Sequence, residues 1–256
     1  MIVDAHTHLK HGGEPYREYT AEQIIGYMDA VGIDRSVVFA MSTTALRAIE
    51  MAAEAATRYP GRLIPYAYGL PSYERSVLPD IRRAVVELGF KGIKLHIGEC
   101  SLAEHVSGPV LELAGELGVP CLIDFGGQLR ACESCLEHHP HTTFLIAHLG
   151  RYLSEDEELI RRFLHLAEEH ENAYVDCSGV ALPQMIAEAV HRLGAERVIW
   201  GSDGPHTWRD GAYYQAESLA EYARDELDKV RRLDLSPAEK AAVLGGSISA
   251  LLGLQA

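Results

Sequence analysis

The stretch Phe144-Leu145-Ile146-Ala147-His148 sets four apolar residues ahead of a histidine, and Leu149-Gly150 follows it. A strand that is apolar at successive positions is buried on both faces, as in a parallel sheet covered by helices. Ser36-Val37-Val38-Phe39-Ala40 reads the same way, and β-rich runs recur at 2–8, 36–41, 62–68, 91–97, 119–125, 143–148, 173–177 and 197–202. Their starts lie about 24 to 34 residues apart, which leaves room each time for one strand, one helix and two short loops.

The intervals read as helices. Glu22 to Val31 carries Ile24, Ile25, Met28 and Val31 on one side, close to the helical period. Ala45 to Tyr59, Glu74 to Leu88, Leu102 to Leu117, Asp156 to Glu169 and Pro183 to Leu193 are comparable. Val31-Gly32-Ile33, Leu88-Gly89-Phe90, Leu117-Gly118-Val119 and Leu193-Gly194-Ala195 look alike, each with a glycine where a helix ends and the next strand starts. Eight strand-helix units predict an α/β fold of the (β/α)8 TIM barrel type, one domain over residues 1–256, with Leu235 to Leu254 as an extra C-terminal helix. The competing architecture is an open doubly wound sheet. Its glycine-rich phosphate loop is missing, because His11-Gly12-Gly13-Glu14 does not have the Gly-x-Gly-x-x-Gly form.

A net charge of −14 argues against nucleic acid, which requires clustered Lys and Arg, and against an anionic membrane surface. No apolar run approaches the roughly 20 residues of a transmembrane helix, and no basic stretch with a long apolar core opens the chain. The expectation is a cytoplasmic protein, and a homodimer is compatible with a barrel of this size. The five cysteines are an odd number in a chain too long to need staples, so reduced thiols are expected. Cys132 and Cys135 have metal-ligand or redox spacing without a second pair, and on a helix they share a packing face.

Chemistry gathers at the ends of the apolar runs. In Ile2-Val3-Asp4-Ala5-His6-Thr7-His8 the two histidines are one residue apart, so on a strand both point the same way and both imidazoles can reach one ion. Gly92-Ile93-Lys94-Leu95-His96 places Lys94 and His96 on one face, and the runs ending in Asp124, His148 and Asp203 finish in the same manner. Barrel enzymes carry their reacting groups at this rim. Each residue also has a plain structural reading: His148 as a bonded core histidine, Asp203 shaping the turn before Gly204-Pro205, Asp124 capping the next helix, Lys94 paired with an acid, His96 packed beneath a loop. Those readings would all have to hold together on one rim. His11, Tyr16, Tyr19, His206 and Trp208 are weaker pocket candidates, Cys177 reads as a buried structural thiol, and His138, His139 and His141 read as surface.

Asp4-Ala5-His6-Thr7-His8, Lys91-Gly92-Ile93-Lys94-Leu95-His96, Ala147-His148-Leu149-Gly150 and Gly201-Ser202-Asp203-Gly204-Pro205 resemble the amidohydrolase superfamily. They are most similar to its amidohydrolase 2 branch, related to aminocarboxymuconate-semialdehyde decarboxylase. The ending Val243 to Leu254 resembles that branch's terminal helix, with Ser247 where an Asn is usual. The resemblance spans residue 4 to about 254 and implies a metal-dependent barrel, commonly holding Zn2+. It implies that His6 and His8 bind the metal, that Asp203 ligates it or takes a proton from its water, and that His148 activates water or protonates substrate. One position departs from the pattern. The family expects a metal-binding histidine at the end of strand five, where this chain has Leu122-Ile123-Asp124-Phe125. Asp124 as a ligand keeps zinc and makes Mn2+ more plausible. Alternatively Asp124 contacts substrate, and His96 or His148 completes the coordination.

The chemistry that follows is hydrolysis of a small amide, lactone or ester by metal-activated water, with Asp203 orienting the attack and His148 protonating the leaving group. With Lys94 gripping a carboxylate, the same pocket suits non-oxidative decarboxylation of an unsaturated or aromatic acid. Lys94, His96 and Arg151 are the substrate-binding candidates. Arg130 and Arg151, in the loops after strands five and six, are anion-binding candidates or surface ion-pair residues. A third reading is a catalytically impaired barrel that serves as a binding protein.

Overall fold

Residues 1–11, 17–208, 212 and 214–255 are described by the computed structural model. Residues 12–16, which include Tyr16 and most of the His11 to Glu14 loop, lie outside them. The strands are β1 (Val3–Lys10), β2 (Arg35–Ala40), β3 (Leu63–Tyr68), β4 (Gly92–His96), β5 (Cys121–Asp124), β6 (Phe144–Ile146), β7 (Ala173–Asp176) and β8 (Val198–Ile199). They form one eight-stranded sheet in sequence order. Each successive pair is parallel, as right-handed strand-helix-strand crossovers demand. The sheet closes through a parallel bridge between Thr7 and Gly204, with the His8 N–H donating to the Gly204 carbonyl at 2.6 Å. The expected (β/α)8 TIM barrel is therefore the observed architecture.

The helices between the strands are α1 (Ala21–Val31), α2 (Ala45–Arg58), α3 (Leu78–Leu88), α4 (Glu104–Leu117), α5 (Leu129–His138), α6 (Glu157–Glu169) and α7 (Pro183–Leu193). After β8 follow α8 (Ala216–Arg231), α9 (Pro237–Ala241) and α10 (Ser247–Leu252). Local chemistry sets their ends. Thr20 caps α1 in a reciprocal capping box with Gln23, and Ile24, Tyr27 and Met28 form its buried face. Gly32, Gly89 and Gly118 end α1, α3 and α4 in the left-handed conformation, whereas Gly194 ends α7 with an extended ψ of 148°. Helix α3 starts four residues later than the expected Glu74, because Pro79 suits a first turn and not a helix interior. Cys132 and Cys135 are both buried on α5, as packing residues.

Two regions differ from the sequence expectation. Helix α8 was not among the helices read from periodicity. Its inward row of Leu219, Tyr222, Ala223, Leu227 and Val230 is helical in spacing but set among charged residues. The C-terminal helix is also interrupted, by a π turn at Ala242–Gly246 between α9 and α10. There the Val243 carbonyl accepts from the Trp200 N–H at 3.0 Å, so the helix supplies a partner to the end of β8. A side chain at Gly245 would lie 2.5 Å from the Met1 carbonyl oxygen, so the close crossing under β1 requires glycine.

Strands β6 and β8 are shorter than their apolar runs. Beyond Ile146 the chain turns tightly through His148 (φ 59°, ψ 30°) and Leu149 (φ 50°, ψ 31°), two successive left-handed residues that are not glycine. Such conformations cost on the order of 1–3 kcal/mol each and persist where surrounding structure enforces them. Asp203 (φ 59°) stands in the same region just beyond β8. Both side chains are aimed by strained turns at the C-terminal rim.

Candidate active site

A cavity of about 330 Å3 opens at the C-terminal rim, lined by His6, His8, Lys94, His96, Asp124, His148 and Asp203, with His11, Arg17, Met41, Tyr152 and His206 around its mouth. The strand-end residues of β1, β4, β5, β6 and β8 thus meet in one place. Its size is that of a small-molecule pocket.

The densest part is the seam between β1 and β8. Asp4, fully buried, ties the two together: its carboxylate accepts from the Ser202 N–H (2.8 Å), the Ser202 hydroxyl (2.6 Å) and the Tyr27 hydroxyl (3.3 Å). Burial pushes the Asp4 carboxyl up to about 6 in spite of those donors. Gly201 lies against β1 so closely that a Cβ there would sit 2.7 Å from the His6 Cβ. This contact brings Asp203 over the two histidines. Asp203 Oδ1 is 3.1 Å from His6 Nε2 and 3.0 Å from His8 Nε2, and the three ligand atoms form one compact group.

The donor set fits a divalent ion. Two ligand atoms each about 2.0–2.2 Å from a metal, at angles between octahedral and tetrahedral, are separated by roughly 2.9–3.5 Å. Two imidazoles and a carboxylate suit zinc and also accept manganese. Burial, then the Lys94 ammonium, pushes His6 down to about 4, and burial lowers His8, so both rings are neutral and ligand-competent near pH 7. In the acid range where a carboxyl titrates, His6, His148 and His8 take up protons, and their charges and the His8 hydrogen bond hold Asp203 well below the usual carboxylate range against its burial.

A second cluster joins His6, His148 and Asp176. It is hydrogen-bonded rather than ligand-like: His6 Nδ1 is only 2.6 Å from Asp176 Oδ2, and the Ser178 N–H (2.6 Å) and hydroxyl (2.9 Å) also donate to that carboxylate. Asp176 and Ser178 were not singled out from the sequence. The strand-end rule that found the other residues, applied to the run 173–177, points to Asp176 but not to Ser178, which is uncharged and lies beyond the run.

Asp124 stands apart from the His6–His8–Asp203 group. In the β4–β5 register His96 lies beside Asp124, and His96 Nε2 is 3.0 Å from Asp124 Oδ2. His148 Nε2 is 3.6 Å from the same oxygen. Among the described residues, no compact group of three metal-ligating atoms includes Asp124. Nor does it cap the next helix, since Asp124 Oδ1 accepts from the Gly126 N–H at 2.7 Å while Gln128 occupies the cap of α5. Burial alone would raise Asp124, but the His96 hydrogen bond and the His148 and Lys94 charges hold it well below the carboxylate range. For His148, the carboxylates of Asp203, Asp124 and Asp176 outweigh burial and favour the imidazolium.

Lys94 is fully buried at the cavity floor, with Nζ 3.2 Å from His6 Nε2, and burial lowers its affinity for a proton. Several candidates fall elsewhere. Arg151 is exposed and does not line the cavity, where Arg17 and Tyr152 stand instead. Arg130 lies in helix α5 rather than a loop. Of the weaker candidates His11 and His206 line the mouth, Tyr19 and Trp208 do not, and Cys177 is buried outside the lining. His139 is not a surface residue: it is buried at the end of α5, with Nε2 2.9 Å from Glu104.

The rim of the barrel carries His and Asp groups that could hold a divalent ion. An amidohydrolase profile of the amidohydrolase 2 type matches residues 3–254, and the chain belongs to that family. Its members are enzymes, generally dependent on a divalent metal. No curated protein matches the sequence. Among solved structures, a Pseudomonas putida protein assigned as a 2-pyrone-4,6-dicarboxylic acid hydrolase superposes with a TM-score of 0.75 at 21% identity, over 100% of this chain and 98% of that one. A 2,6-dihydroxybenzoate decarboxylase from Rhizobium gives 0.70 at 17% identity, over 99% and 98%. A 4-oxalomesaconate hydratase from Rhodopseudomonas palustris gives 0.70 at 18%, over 99% and 96%. At these identities the likeness establishes the fold, which carries three different reactions. Among the described residues no helix is long and apolar enough to cross a membrane.

Proposed function

We propose that this chain is a metal-dependent hydrolase of a small amide, lactone or ester, with His6, His8 and Asp203 holding the ion. The observation that carries this reading is the convergence of His6 Nε2, His8 Nε2 and Asp203 Oδ1 at 3.0–3.1 Å on the cavity wall. When bound there, a divalent ion, zinc or manganese, supplies Lewis acidity and brings the pKa of water to about 7 in favourable sites. Asp203 accepts a hydrogen bond from the attacking water and orients it. His148 holds a proton at Nε2, favoured by the three carboxylates around it, and delivers it to the leaving group. Asp124 fixes His96 and faces His148, so the β4–β5 side orients substrate rather than ligating the ion. The buried Lys94 attracts a substrate carboxylate to the cavity floor.

The second reading is non-oxidative decarboxylation of an unsaturated or aromatic acid. It is favoured by the same Lys94, because a buried cation beside the candidate ligands suits a substrate whose reacting group is an anion. Purified protein loaded with zinc or manganese, offered lactone and ester panels and then aromatic acids, tests the choice. Release of acid without carbon dioxide supports hydrolysis, carbon dioxide release supports the second reading, and neither in metal-loaded protein contradicts both.

A further inference from the structure

Strand β7 ends at Asp176 and the chain runs on through Cys177 to Ser178, and both polar residues meet the rings of the rim histidines. Asp176 and Ser178 are completely buried. Asp176 Oδ2 lies 2.6 Å from His6 Nδ1 and accepts the Ser178 hydroxyl at 2.9 Å. A carboxylate that acts only as an acceptor fixes the proton of neutral His6 on Nδ1. Ser178 does the equivalent for His148: its backbone carbonyl is 2.9 Å, and its Oγ 3.1 Å, from His148 Nδ1. The same Oγ is 3.1 Å from His6 Nδ1. Because that hydroxyl gives its own proton to Asp176, its lone pairs face both rings.

We infer that the Asp176–Ser178 segment is a positioning device shared by both histidines, setting the Nδ1–H tautomer of each so that both Nε2 atoms face the cavity. The two rings stack at 5.0 Å between centroids, so one three-residue segment sets the angle of a candidate ligand and a candidate proton donor together. The segment is itself held from outside the site. The Gly179 N–H donates to Glu226 Oε2 at 3.3 Å, and the Gly179 carbonyl accepts from the Leu153 N–H at 2.9 Å. Partners behind metal-bound histidines fix tautomer and ring orientation and raise ligand basicity, and their loss costs about 10- to 100-fold in metal affinity. Asp176 and Ser178 act through His6 and His148 rather than by touching substrate or ion. The part concerning affinity rests on the metal site proposed above, while the part concerning tautomers does not.

The test has two arms. Nitrogen-15 NMR of the histidine rings in unmutated, metal-free protein, at a pH where both rings are neutral, reports the tautomers directly. The Nδ1–H form is expected at His6 and His148, and the Nε2–H form at either ring overturns the inference. The second arm titrates Zn2+ into metal-free protein and into Asp176→Asn, whose amide can donate to His6 Nδ1 and reverse its tautomer. A folded variant that binds zinc about 10- to 100-fold more weakly supports the inference, and affinity within twofold overturns it. If Asp176→Asn does not fold, Ser178→Ala takes its place. It keeps the carbonyl acceptor of His148 but removes the Oγ shared with His6, so weakened zinc binding with the His148 tautomer retained is expected, and an unchanged affinity overturns the shared role. If the unmutated protein binds no zinc, the proposed metal site fails, and the tautomer arm still decides this inference.

Discussion

The two halves of the rim are built differently. On the β7–β8–β1 side, His6 and His8 are buried beside Asp203, with Asp4 tying β1 to Ser202 and with Asp176 and Ser178 behind the His6 ring. On the β4–β5 side, His96 is 30% exposed, and its partner Asp124 reaches both His96 and His148 without joining a ligand group. Ligands for an ion need fixed geometry, whereas groups that meet a changing substrate need access. The contrast is the ground for proposing the metal at the seam and substrate handling on the more exposed β4–β5 side.

Breaking the seam has the largest expected effect. His6→Ala removes one of three converging ligand atoms and is expected to abolish stoichiometric metal binding, measured by elemental analysis, with activity falling roughly 10³-fold or more. Asp124→Asn sharpens the comparison from the other side. It is expected to retain the metal in full while kcat/KM falls about 10- to 100-fold through misplacement of His96 and His148. Loss of metal in that variant would move Asp124 into the ligand set.

The backing of the seam gives a pH signature. Glu226, buried behind Gly179 and bonded to Lys229 at 2.6 Å, has its carboxyl pushed up to about 7, chiefly by burial. The folded protein therefore binds this proton more tightly than the unfolded chain. The associated stability is complete below about pH 4.5 and is lost as the pH rises to 7, a change on the order of 2–3 kcal/mol. Denaturation midpoints across that range are expected to decline less steeply in Glu226→Gln, and an unaltered slope counts against this origin. The smallest effect concerns Arg151, exposed and outside the cavity. Arg151→Ala is expected to leave KM unchanged within about twofold, the behaviour of surface substitutions away from such features. A larger rise in KM would bring the loop after β6 into substrate binding.

The barrel was legible because parallel strands buried on both faces read as unbroken apolar runs, so a charged or imidazole residue ending such a run stands out. His6, His8, Lys94, His96, Asp124, His148 and Asp203 were found that way, and all line one cavity. Their partnerships were not legible. That Asp124 pairs with His96 follows from the β4–β5 register, a relation across strands. Asp4 and Asp176 act through hydrogen bonds to residues 198 and 170 positions away in sequence, which no local pattern carries. His139 looked like surface beside His138 and His141, yet it is buried against Glu104, a contact across 35 positions. Helix α8 was hidden by charge: its apolar row is regular, but its exposed faces are so polar that the segment does not stand out.

The proposed placement of the ion is at the seam and not on the β4–β5 side. Anomalous diffraction at the zinc edge, on crystals of metal-loaded protein, tests it directly. One peak is expected about 2.0–2.2 Å from His6 Nε2, His8 Nε2 and an Asp203 carboxylate oxygen, with Asp124 outside bonding distance. A peak bonded to Asp124, or none among those three residues in metal-loaded protein, would contradict it.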